Sequence, residues 1–192
     1  MEGFLEARAL AEVRGEAGST VVRVKVERGG SVHLVASKGA SVAVQTVRGR
    51  PAALAALELS GGESDLADLG PGLYRFISRA PGELIVVREI ELGPTTLPQT
   101  LDLRGGKEAT LEILVADRAG APIEGAEITL VTAGGFPWNT RKRTDAQGAL
   151  RLTRLIEGAI EVRAQRGDAI AAGRVEVVGG GTLHLRLELR DP

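Results

Sequence analysis

LEILVADRAGAPIEGAEITLVTAGGFPWNTRKRTDAQGALRLTRLIEGAIEVRA, residues Leu111 to Ala164, carries the clearest succession of alternating strands and tight turns in the chain. Leu111, Ile113 and Val115 recur at every second position, the period of a half-buried strand. The run Asp117–Pro122, DRAGAP, then reads as a turn, because Asp, Gly and Pro each supply backbone geometry that a strand disfavours. After Gly125-Ala126 a second alternating strand turns Ile128 and Leu130 inward. Thr144-Asp145-Ala146-Gln147-Gly148 is another tight turn, and Leu150, Leu152 and Leu155 carry the chain back into the core. Beyond Gly158, Ile160 and Val162 mark a further strand.

The same landmarks recur earlier in the chain. Gly158 and Gly72 are 86 residues apart, and so are Gly148 and Gly62, Leu152 and Leu66, Leu155 and Leu69, and Ala126 and Ala40. The segment ending at Arg190 (LELR) matches the one ending at Arg104 (LDLR) at the same distance. A fixed offset over this many positions means one structural unit repeated, a pattern to be sought before individual elements. The expected boundaries are a first module at residues 29–104 and a second at 105–192. Gly3–Ala9 and Thr20–Gly30 match Gly158–Ala164 and Thr100–Gly106 in phase, so residues 1–28 read as the terminal strands of a preceding partial module. An amphipathic helix over residues 4–14, with Phe4, Ala7, Leu10 and Ala11 on one face, is the alternative there.

Within the first module the expected strands are Val32–Val35, Val42 to Val47, Leu73–Ile77, Leu84–Val87 and Glu89–Leu92. Pro51–Leu59, PAALAALEL, is ambiguous: Ala and Leu favour helix, while the position in the repeat calls for strand and loop. In the second module Val175–Val178 and Leu183–Leu189 flank Gly179–Gly181, read as a hairpin turn.

This order of turns and strands resembles the carboxypeptidase regulatory-like domain, a small β-sandwich of the transthyretin (prealbumin) and starch-binding-like type. The resemblance implies an all-β fold of tandem antiparallel β-sandwich modules, carboxypeptidase regulatory-like or Ig-like. The turn Ser37-Lys38-Gly39-Ala40 departs from the pattern, being shorter and lacking the Gly-Ala-Pro signature of the second module. Related surface-pilin domains join a Lys of an early strand to an Asn of the last through an isopeptide bond. Here Lys25 is in a strand but Asn139, the only Asn, falls mid-module, so that chemistry is not expected.

Composition narrows the function. With 24 basic and 25 acidic residues, the chain lacks the basic excess of a nucleic-acid protein or an anionic-membrane binder. It has no cysteine, hence no disulfide and no thiolate metal site. No 18-residue apolar run is present, so membrane insertion is not expected. Aromatic residues make up 3%, so the cores must be built from Val, Leu, Ile and Ala.

Chemistry-bearing patterns are sparse. His33 and His184 lie in separate strands without metal-ligand spacing. Glu63, Asp65 and Asp68 read as a solvated acidic loop, not a glycosidase pair. Gly134-Gly135 and Gly179–Gly181 fit turns better than phosphate cradles. Asp145 and Gly148 lack the acidic series of a calcium loop.

One segment stands out: Phe136, Trp138 and Asn139, followed by Arg141, Lys142 and Arg143, in a Gly-flanked loop. Starch-binding-like sandwiches stack exposed loop aromatics on sugars, so the resemblance implies a polysaccharide or protein contact at Trp138. The other reading has Trp138 folding back to cap the sandwich. Charge also differs between matched positions, with Glu58, Glu63, Asp65 and Asp68 in the first module against Arg143, Arg151 and Arg154 in the second. The expectation is a non-catalytic structural or adhesive segment of a larger surface, secreted or periplasmic protein, without cofactor or metal, whose partners are neighbouring modules or another protein. A carbohydrate- or protein-binding module using the Trp138 loop is the alternative.

Overall fold

The computed structural model describes residues 30–47, 53–93, 97–132 and 137–190. Fourteen strands account for the regular structure of these residues. The first seven are β1 (Gly30–Val35), β2 (Ala40–Thr46), β3 (Ala53–Leu59), β4 (Glu63–Leu69), β5 (Gly72–Arg79), β6 (Val86–Leu92) and β7 (Gln99–Asp102). The second seven are β8 (Thr110–Ala116), β9 (Glu127–Thr132), β10 (Pro137–Arg143), β11 (Ala149–Leu152), β12 (Gly158–Arg166), β13 (Ala169–Val177) and β14 (Thr182–Glu188).

Each set of seven forms a three-stranded and a four-stranded sheet, and the strand orders correspond. β4-β1-β7 answers to β11-β8-β14, and β3-β2-β5-β6 to β10-β9-β12-β13. All pairings are antiparallel except β1 with β7 and β8 with β14, where the first strand of a module lies parallel to its last. The fold is therefore a tandem of two β-sandwiches, as the alternating sequence requires. In β8 the alternating Leu111, Ile113 and Val115 are buried, and they meet Ile128 and Leu130 of β9 and Ile160 and Val162 of β12. In the first module Val32 and Leu34 meet Val42, Val44, Tyr74 and Phe76.

The repeat extends to backbone detail. Among the described residues two non-glycine positions have left-handed backbone, Asp68 (φ 60) and Arg154 (φ 55), and they are 86 residues apart. Gly62 and Gly148 occupy one corner in each module: their carbonyls accept from Ala36 N–H at 2.7 Å and Val115 N–H at 2.8 Å. Asp102 with Arg104 and Glu188 with Arg190 form matched carboxylate–arginine pairs at the end of each module's last strand. Hydrogen bonds from the Arg104 guanidinium, and from its backbone N–H, hold the Asp102 carboxyl down at about 2.

One ambiguity is resolved and three expectations need correction. Residues Ala53–Leu59 are a strand: Ala55, Leu57 and Leu59 also recur with period two, and pairing with β2 outweighs the helical propensity of Ala and Leu. Glu63, Asp65 and Asp68 lie on strand β4, not on a loop. Leu84–Val87 and Glu89–Leu92 are not two strands; Val86–Leu92 is one, and Leu84 and Ile85 leave the sheet. Gly179–Gly181 is a crossover and not a hairpin, since β13 pairs with β12 in one sheet and β14 with β8 in the other. Close packing on the linker explains Gly179, where a Cβ would lie 2.8 Å from the Lys107 nitrogen, while Gly180 and Gly181 have left-handed backbone (φ 79 and 87) with open space around them. The readings for residues 1–28 and for Gly134-Gly135 lie outside the described residues.

Leu84 and Ile85 cross to the second module. Ile85 N–H donates to Leu155 O and Glu157 N–H donates to Ile85 O, each at 2.9 Å, which makes a short parallel bridge between Ile85 and Ile156. Leu84, Ile85 and Ile77 are buried in the second module's core, where the expected separate cores would have kept them out. A Cβ on Gly105, in the linker, would lie 2.4 Å from the Leu84 carbonyl oxygen.

Candidate functional site

The segment expected to be a recognition loop is an edge strand. Pro137–Arg143 forms β10 and, among the described residues, pairs only with β9, with Trp138 opposite Leu130, Asn139 opposite Thr129, Lys142 opposite Ile128 and Arg143 opposite Glu127. Phe136 lies outside the described residues. Between Asn139 and Lys142 the register slips, so Thr140 and Arg141 form a bulge opposite the Thr129–Ile128 step. The loop reading rested on the cations and the flanking glycines. A sheet edge carries cations equally well, because charge on an edge strand discourages pairing with another chain.

At the end of β10 the Arg143 guanidinium is 3.9 Å from the Glu127 carboxylate and is largely exposed. Gly125, Glu127, Arg143, Gln165, Arg166 and Gly167 line a shallow hollow of about 340 Å³. Within it the Gln165 amide donates to Gly167 O at 3.1 Å. The hollow thus presents two guanidinium groups and one carboxylate, a set suited to a polar or acidic group. It joins one residue of the predicted site, Arg143, to Gln165 and Arg166, which sequence reading did not select.

A larger cleft of about 620 Å³ lies at the junction, lined by Gly39, Arg79–Glu83 and Ile85 of the first module and by Glu108 and Arg154 of the second. Glu83 is committed to structure there: its carboxylate accepts from Ser37 Oγ at 2.7 Å and from Gly105 N–H at 3.2 Å. Glu108 accepts from Arg154 N–H at 3.3 Å, on the residue with left-handed backbone. The connection that forms this cleft has no equal in the second module. The residues between β5 and β6, Ala80–Ile85, have only Gly167 and Asp168 as counterpart between β12 and β13.

The other candidates are dispersed. His33 bonds Asp65 across β1 and β4 at 2.8 Å, and His184 lies 3.3 Å from Glu112 across β14 and β8. These are exposed cross-strand pairs in two different modules. Arg151 lies opposite Glu112 in the β11–β8 ladder, so the arginines matched to the acidic positions of the first module do not form one patch. Among the described residues no group of three or more His, Asp or Glu side chains is placed to hold a metal ion, and no helix is long and apolar enough to cross a membrane.

No protein-family model matches the chain, and no curated protein matches it. Solved structures do. The Bacillus anthracis TIE protein aligns over 84% of this chain and 34% of its own, at 20% identity and a TM-score of 0.36. GBS52, the minor pilin of Streptococcus agalactiae, aligns over 84% of this chain and 96% of its own, at 12% identity and a TM-score of 0.47. BcpA, the major pilin subunit of Bacillus cereus, aligns over 86% of this chain and 100% of its own, at 9% identity and a TM-score of 0.37. The chain thus spans about a third of the TIE protein chain that it matches.

Proposed function

We propose that this chain is a non-catalytic structural or adhesive segment of a larger surface or secreted protein, built from carboxypeptidase regulatory-like sandwich modules. The modules run over residues 29–104 and 105–192. The observation that carries this reading is the double construction itself. One seven-strand plan is built twice with matched corners, and its polar side chains go into turns, cross-strand pairs and the module junction. Protease shaving of intact cells that make the parent protein should release peptides of this segment; their recovery only after lysis would overturn the reading.

A second reading is favoured by the Arg143 hollow beside β10: a polysaccharide or acidic protein bound along Phe136–Arg143. Aromatic stacking of the kind seen at nucleic-acid platforms contributes on the order of 1–3 kcal/mol per ring. Trp138→Ala should then weaken capture of an acidic glycan roughly tenfold or more with the melting midpoint unchanged. If Trp138 instead caps the sandwich, the same variant lowers stability by about 3–5 kcal/mol, as large core truncations do. A thermal melt run beside the binding assay separates the two.

A further inference from the structure

The two modules have the same fold but unlike surfaces where they meet. On the four-stranded sheet of the first module, Ala43, Ile77 and Val87 lie side by side across β2, β5 and β6. They point away from that module's own core, since the alternate residues Val42, Val44, Phe76 and Val86 fill it. All three pack against the second module's core, and Ile77 is only 2% exposed. The matching row in the second module is Thr129, Arg163 and Ala172, again side by side, across β9, β12 and β13. Arg163 there is ion-paired with Glu161 at the surface. An apolar docking face in one copy is a hydrated face in the other.

The opposing side of the contact differs in the same way. Ile156 and Glu157 meet Ile85 through the parallel bridge, and their counterparts 86 residues earlier are Gly70 and Pro71. Glycine offers no side chain to bury, and proline has no N–H to replace the Glu157 donor. The third component, the connection Ala80–Ile85, is present only in the first module. Arg88 of β6 and Glu157, 3.6 Å apart, add an ion pair across the same contact.

We infer that the outer face of β2-β5-β6 is a docking surface specific for the Leu155–Glu157 corner of the second module, so that the two modules form a dedicated, rigid pair and not interchangeable units of a uniform array. The inference rests on the tandem reading of the fold and not on the location of the parent protein. Its failure would leave the shaving experiment unaffected.

The test replaces junction residues in the full chain by their own repeat counterparts. In Ile156→Gly and Ile77→Arg, nitrogen-15 relaxation should show the wild-type single tumbling time giving way to two shorter ones. The Ile85 and Glu157 amides should exchange at least tenfold faster, while the Leu34 and Val42 amides keep their rates. Arg163→Ala, on the matching open face, should change neither measurement. If Ile77→Arg does not fold, Ile156→Gly decides alone, since the first module folds with glycine at that position. An unchanged tumbling time in Ile156→Gly, or equal acceleration of amides throughout both modules, would overturn the inference. So would loss of the single tumbling time in Arg163→Ala.

Discussion

Gly148→Ala should lower the stability of the second module by several kcal/mol, and Gly39→Ala by much less. Both glycines have left-handed backbone, φ 69 and φ 77, so each substitution incurs the roughly 1–2 kcal/mol that an L side chain costs there. Their surroundings separate them. A Cβ on Gly148 would sit 2.3 Å from Val115 O, 3.0 Å from Ile123 N and 3.2 Å from the Pro122 ring. The first of these is the carbonyl of a residue whose own N–H donates to Gly148 O, so relief of the clash breaks the corner. A Cβ on Gly39 would meet nothing within 4 Å. Gly62, the matched corner of the first module, falls between, with Ala36 O at 2.9 Å. Chemical denaturation of the three variants should give losses in the order Gly148, Gly62, Gly39; comparable losses at Gly148 and Gly39 would show that backbone strain alone matters.

That corner also shows why so much of the fold was legible. A glycine repeated at the 86-residue offset marks a backbone position that both modules need, and Leu152 and Leu155 beside it keep their phase because both are buried. Register and face follow from alternation wherever one side of a strand is buried, as in β8 with Leu111, Ile113 and Val115. Legibility failed where strand pairing decides the outcome. PAALAALEL satisfies both a helical and an alternating pattern, and only its partner β2 chooses between them. Gly179–Gly181 announces a turn without saying which sheet the chain enters next.

The candidate site was less legible, for a related reason. Pro137–Arg143 carries the composition of an exposed loop, yet an edge strand with a bulge has the same composition, and the ladder to β9 is a non-local fact. The junction escaped because it is written as a difference between the copies. Ile77 against Arg163, and Ile156 against Gly70, stand out only once the matching strands are known to lie in the same places. A repeat search rewards what is shared, and here the contact between modules resides in what is not.

Thr144→Val should cost about 2–4 kcal/mol, although the two side chains are nearly equal in size. Thr144 is 4% exposed, and its hydroxyl accepts from Ala126 N–H at 2.9 Å and donates to Ile123 O at 2.7 Å. Valine would leave a backbone donor and a backbone acceptor without that partner at the inner end of β9. A buried polar group left unsatisfied loses about 1–3 kcal/mol, far more than the net contribution of an ordinary hydrogen bond. Thr144→Ser keeps the hydroxyl and removes one methyl, so it should lose only about 1 kcal/mol. The repeat explains why this device belongs to one module. The residue 86 positions earlier is Glu58, exposed on β3, and the first module has only Ala36–Gly39 between β1 and β2, where the second has Asp117–Ala126. The longer connection brings Ile123 and Ala126 alongside the strand-to-turn step at Thr144, and the hydroxyl fastens them there. Urea melts should therefore rank wild type, then Thr144→Ser, then Thr144→Val; equal midpoints for the serine and valine variants would mean that the methyl, and not the hydroxyl, holds the connection.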